Sequence, residues 1–248
     1  MKTLKILSIQ FIFLFNTCNS QFSAYRSTDE YLTGIYKKFI NSSFEERENL
    51  EFVFENELLK CLKKPTTFEN DLDSLNKYIT IRSSNDRLLK FYSWDKLSGG
   101  SWHEINCLAQ FKTPSGEIVV QKLSSGESME NGDFTDSKVY EVNNLRIDNT
   151  TYYLIFSWGT HGSGREHARI EVFTTSTGKL THATSILPEN KSITLEYPRL
   201  QKLNLLFNFR KKEITYNEFA LDEETGFFTK TGKVILLKFI NGKFVLQN

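Results

Sequence analysis

The chain has no surplus of charge. Its 248 residues carry 31 basic and 30 acidic side chains, a net of +1, so no single-sign field exists to draw in nucleic acid or an anionic membrane. It also lacks a long apolar run. The leader run from Ile6 to Phe15, broken only by Ser8 and Gln10, falls short of the roughly 20 residues a membrane-spanning helix needs. Cysteine is scarce, with three residues in all. Outside the leader, Cys61 and Cys107 stand too far apart to resemble a zinc-ligand spacing. They are open to two readings: a disulfide formed in an oxidising compartment, or two separate buried thiols acting as small apolar groups. No phosphate loop, dinucleotide fingerprint or calcium loop occurs.

Aromatic residues, in contrast, are plentiful: 21 Phe and 10 Tyr. They suit pleated, half-buried surfaces and point to β structure. The first twenty residues differ in kind. Lys2 and Lys5 precede the apolar run, and Asn16 to Gln21 follow as a small, polar end, which is the build of a secretory signal peptide over residues 1–20. Two processing routes are open: lipidation of Cys18, or cleavage after Ser20.

Residues 21–77 read as an α-helical cap. Ser27-Thr-Asp-Glu30 and Ser43-Phe-Glu-Glu46 are capping boxes. The second opens a helix with Leu50, Phe54, Leu58 and Leu62 on one stripe. From residue 78 to 248 the pattern becomes alternating strands with turn residues between them, about twelve in all. Thr151 to Trp158 is nearly all apolar, as expected of a central strand covered on both faces.

The strands fall into units of about 78–123, 139–187 and 203–248, and the first two share a motif. Phe91-Tyr-Ser-Trp-Asp-Lys-Leu-Ser-Gly-Gly-Ser-Trp-His103 recurs as Ile155-Phe-Ser-Trp-Gly-Thr-His-Gly-Ser-Gly-Arg-Glu-His167. An offset of 64 matches Ser93 with Ser157, Trp94 with Trp158, Gly100 with Gly164 and His103 with His167; beyond the loop an offset of 62 matches Phe111 with Phe173. The fold class is therefore mainly β with an N-terminal α-helical segment, built of repeated antiparallel four-stranded meanders. A partial propeller, a large sandwich and a barrel all accommodate that plan, with the helices covering a sheet face or edge that would otherwise be exposed.

Two sets of residues in the repeated loops carry candidate chemistry. Trp102, Trp94 and Trp158 combine stacking area with a polar tip, which suits a sugar or peptide ligand. Trp102 has Glu166 as its counterpart in the second copy, so the repeat itself does not require it. His103, His161, Glu166 and His167 are the residue types that bind a first-row metal or exchange protons. The structural alternative for both sets is that they pack and hydrogen-bond the loops. His161-Gly-Ser-Gly164 resembles a nucleophile elbow around Ser163, but its glycine spacing is wrong and no helix follows. No complete catalytic set is present.

The stretch Ser83-Ser-Asn-Asp-Arg-Leu-Leu-Lys-Phe-Tyr-Ser-Trp-Asp-Lys-Leu-Ser-Gly-Gly100, with Tyr152-Tyr153-Leu, Ile214-Thr-Tyr216 and the Cys18-Asn-Ser-Gln21 leader end, resembles uncharacterised exported proteins and lipoproteins of Bacteroidota. The likeness runs from about Leu58 to the C-terminus. It implies export and a mainly β fold, and no activity. The expectation is an exported, periplasmic or envelope-associated protein, non-catalytic and without a cofactor. It would bind a glycan or an envelope protein through its loops, with a lipid anchor at Cys18 as its only membrane contact. The alternative is a metal-assisted hydrolase using the loop His and Glu residues.

Overall fold

The computed structural model describes residues 27–123, 137–160, 162, 164–189 and 191–247. The leader with Cys18, and His161 and Ser163 in the second loop, lie outside the described residues. The chain divides into two compact units between Tyr78 and Ile79.

The first unit is helical. Helix α1 spans 27–40, α2 spans Phe44–Leu62 and α3 spans Pro65–Glu69. Leu75–Lys77 add a 3-10 turn. The expected stripe forms, with Phe54, Leu58 and Leu62 fully buried. The box at Ser43 is only half made. The Ser43 hydroxyl donates to the Glu46 carboxylate at 3.1 Å and leaves the backbone amides without a side-chain cap. Asp29, which is buried, accepts the N–H groups of Ser74 and Leu75 at 2.9 and 3.0 Å, tying the 3-10 turn back to α1.

The second unit consists of three antiparallel sheets. The first is β1 (Thr80–Ser83), β2 (Leu89–Asp95), β3 (Ile105–Lys112) and β4 (Ile118–Lys122). The second contains β5 (Lys138–Ile147), β6 (Thr150–Thr160), β7 (Arg165–Thr174) and β8 (Thr181–His182), with β9 (Ser192–Pro198) also paired to β7. The third is β10 (Leu206–Asn208), β11 (Glu213–Leu221), β12 (Phe228–Ile240) and β13 (Lys243–Gln247). No closed barrel forms among the described strands.

The sequence repeat is a repeat of strand register. Leu89 pairs with Phe111, Phe91 with Ala109 and Ser93 with Cys107. In the second sheet Tyr153 pairs with Phe173, Ile155 with Glu171 and Ser157 with Arg169. Offsets of 64 on one strand and 62 on the next convert each pair of the first sheet into a pair of the second. Directly paired residues share a sheet face, so the two meanders also have equivalent faces.

Those equivalent faces meet each other. One core cluster joins Leu89, Phe91, Cys107, Ala109 and Phe111 of the first sheet to Tyr153, Ile155 and Phe173 of the second. Propeller blades pack one face against the opposite face of the next blade; here like packs on like, as in a sandwich of two related halves. Hydrogen bonds join the halves at both edges. Arg82 Nε donates to Tyr140 O, and the Gln121 side-chain amide exchanges two bonds with the backbone of Leu180. The opposite face of β6, through Leu154 and Phe156, joins Ile170, Val172, Ile214, Leu237 and Phe244 in a second core with the third sheet. Strand β6 is therefore apolar on both faces because it lies in the middle layer of three.

Two expectations are corrected. The 139–187 unit, expected to end in a fourth full strand, closes with only the two residues of β8, and β9, beyond that unit, takes the rest of the β7 edge. In the 203–248 unit the glycine-flanked stretch 226–232, which reads as a connecting loop, is largely strand, because β12 begins at Phe228 and Gly232 lies inside it. A bulge between Asn217 and Phe219 interrupts the ladder opposite Gly232. Its φ of +86° is one that a side-chain-bearing residue avoids.

Candidate functional site

Both glycine loops lie together at one end of the sandwich. The first, residues 96–104, is shaped by its own polar groups. Asp95 accepts the Leu97 N–H at 2.7 Å, and the Lys96 N–H reaches Glu104 O at 2.9 Å. Gly99 and Gly100 follow with φ of +92° and +82°, which is why two glycines stand there. Lys96 contacts Glu104 at 2.8 Å and, with a bond from Ser98, holds its carboxyl below the usual range.

One bond joins this loop to the end of β6 beside the second glycine loop, and Arg199 bridges the two loops with two more. The His103 N–H donates to Thr160 Oγ1 at 2.8 Å. Arg199 Nη2 donates to Ser101 O at 2.9 Å, and the Arg199 N–H to Gly164 O at 2.8 Å. Arg199 also lies 3.6 Å from Glu166, whose other carboxylate oxygen accepts Trp158 Nε1–H at 2.9 Å. Lys138 Nζ sits 5.2 Å from the centre of the Trp158 ring. Burial, reinforced by the Glu166 charge, pushes the Tyr197 phenol up.

The candidate residues are sorted by this geometry. Trp102 is 47% exposed, in the middle of the restrained loop. Trp158 is half-buried and engaged by Glu166 and Lys138. Trp94 is 2% exposed; it is a packing residue, and its candidacy as a ligand contact is withdrawn for want of surface. The three tryptophans are thus not one platform, although Trp94 and Trp158 stand at matching register positions.

The histidines do not match. Asp95 pairs with Ile105, and Gly159 with His167, so the register counterpart of His167 is Ile105. The first loop is two residues longer, and carrying the 64 offset past it misaligns His103. His103 is exposed, with Nδ1 bonded to Asp95 Oδ2. His167 is buried, with Nε2 bonded to the Ser137 hydroxyl at 2.8 Å. Glu166 and His167 are neighbours on β7, so their side chains leave opposite faces. Among the described residues no group of three His, Cys, Asp or Glu is placed to hold a metal ion.

Sequence reasoning missed three residues here: Asp95, Thr160 and Arg199. Asp95 lies inside the repeated stretch, so its spacing to His103 was visible. Arg199 lies 98 residues from Ser101, and nothing local marks it. The buried group of Arg169, Glu171 and His182 was missed as well. Glu171 is fully buried and faces Arg169 at 3.2 Å and His182 at 2.9 Å. His182 also stacks on Phe173 at 4.3 Å. Cys61 and Cys107 are buried and are not joined in a disulfide. Comparison with protein-family models, curated proteins and solved structures finds no match.

Proposed function

We propose that the chain is an exported, non-catalytic binding protein that recognises a glycan at its paired glycine loops. The observation that carries this reading is Trp102: a large aromatic ring, exposed, in a loop restrained on both sides by Asp95, Thr160 and Arg199. A ring carried on a restrained backbone stacks on a sugar face at a smaller ordering cost than one on a loose loop. Around it stand groups that hydrogen-bond hydroxyls: the Asp95 carboxylate, the His103 imidazole and the Lys96–Glu104 pair. With His103 Nδ1 held by Asp95, Nε2 is the ring nitrogen left to bond a ligand hydroxyl. The leader composition supports export.

The test is a glycan array with the full secreted chain, followed by titration of any hit with tryptophan fluorescence as the readout. Trp102→Ala is expected to abolish binding while leaving far-UV circular dichroism unchanged. A hit that Trp102→Ala binds as well as the parent would sink the reading, as would an array on which the parent protein binds nothing.

A further inference from the structure

The charges around the Trp102 loop come in matched pairs. Lys96 lies 2.8 Å from Glu104, Arg165 3.1 Å from Glu196 and Arg199 3.6 Å from Glu166. Two charges remain, and each has another partner. Asp95 holds His103 Nδ1, and Lys138 Nζ sits 5.2 Å from the centre of the Trp158 ring. Among the described residues of 95–104, 158–167 and 196–199, taken with Lys138, four cations balance four carboxylates. The site therefore has no charge of either sign to spare. The pairs are still open to a ligand: the side chains of Lys96 and Glu104 are 37% and 47% exposed, and that of Arg199 37%.

That balance selects among sugars. An ammonium or guanidinium only donates hydrogen bonds and a carboxylate only accepts them, whereas a hydroxyl does both. Neighbouring hydroxyls of one sugar ring can address a lysine and its glutamate together, one accepting and the other donating, without parting them. A uronate or sulfate group has no such option. To bond Lys96 or Arg199 it must displace Glu104 or Glu166, and the displaced carboxylate then lies beside a second negative charge. An aminosugar cation meets the converse problem at the acids.

We propose that the glycan bound at the Trp102 loop is uncharged, recognised through neighbouring hydroxyls and not through a carboxylate or sulfate. The inference rests on the glycan reading of this site and narrows it to one ligand class. Stacking on Trp102 and hydroxyl bonds to intact ion pairs supply the affinity, so salt has little to screen.

The experiment sets charge against no charge on the glycan array. Neutral glucans, xylans and mannans are printed beside oligogalacturonate, its methyl ester and chondroitin sulfate, and the full chain is read on them with and without Trp102→Ala. Esterification masks the carboxylates and keeps the sugar backbone. Hits that need Trp102 are expected among the uncharged glycans, changing less than about twofold between about 0.05 and about 0.5 M NaCl. Glu104→Gln leaves Lys96 without its acid. That variant is expected to bind the uronate counterpart of a neutral hit at least about threefold more tightly than the parent chain does. A Trp102-dependent hit on a uronate or sulfate, bound as tightly as its uncharged counterpart, overturns the inference and leaves the glycan reading standing. So does a neutral hit lost in high salt, or folded Glu104→Gln with no gain for the uronate. An array on which nothing binds removes both.

Discussion

Trimming β6 one face at a time tests the layered architecture. Ile155 and Phe156 are adjacent in sequence and belong to different cores, the first against the first sheet and the second against the third. Both are essentially inaccessible, at 0% and 1% exposure. Phe156→Ala removes a ring whose centre lies 6.3 Å from that of Tyr140 and 6.1 Å from that of Phe207, with an expected loss of about 3–5 kcal/mol. Ile155→Ala removes a branched side chain from the other core, with an expected loss of about 2–5 kcal/mol. Each is a large share of the roughly 5–15 kcal/mol that holds a domain together. Urea unfolding followed by far-UV circular dichroism reads both, as a lowered midpoint at constant slope. A strand buried on one face only would give one costly variant and one costing less than about 0.5 kcal/mol, as at a surface site. That outcome would refute the three-layer packing.

Three other results are expected. Glu171→Ala removes the buried carboxylate that faces Arg169 and His182 and should cost about 3–5 kcal/mol; joint replacement of Arg169 and Glu171 by Met and Leu should recover most of it, and a single variant as stable as the parent would show the trio to be dispensable. Burial pushes the Cys107 thiol from 9.0 up to about 12, so between those values the unfolded chain gives up a proton that the folded one keeps. The thiol's contribution is therefore whole below about pH 9 and is lost as pH rises toward about 12. Cys107→Ala should flatten the decline of the urea midpoint across that window, and an unaltered profile would contradict the assignment. Arg199→Ala should cost no more than about 1 kcal/mol, as expected at a partly exposed ion pair, yet speed amide exchange across residues 97–103; unchanged exchange would mean the loop does not depend on Arg199.

Local signals in the sequence carried much of the fold. Asn241-Gly242 marks a two-residue hairpin, and both residues take the positive φ that such a turn demands. The all-apolar run of β6 marks a strand covered on both faces, and the paired offsets 64 and 62 are the ladder register itself. Strand β9 was just as legible: Ile193, Leu195 and Tyr197 alternate with Ser192, Thr194 and Glu196. Prolines 188 and 198 bracket it, and a proline at the end of an edge strand is unremarkable. The site was less legible for a physical reason. Burial separates Trp94 from Trp158, and long-range packing brings Arg199 to Ser101; neither leaves a trace in residue spacing.

The meeting of like faces frees the sequence from a constraint. Two identical subunits joined across such a contact would place every change on both sides at once, and a new charge would confront its own image. In a single chain the halves can diverge separately. Positions that correspond in the two meanders are Cys107 and Ala109 on one side, Arg169 and Glu171 on the other. Small residues in one half leave room for a guanidinium and a carboxylate in the other, so the joint accommodates an ion pair that a symmetric assembly would be forced to duplicate.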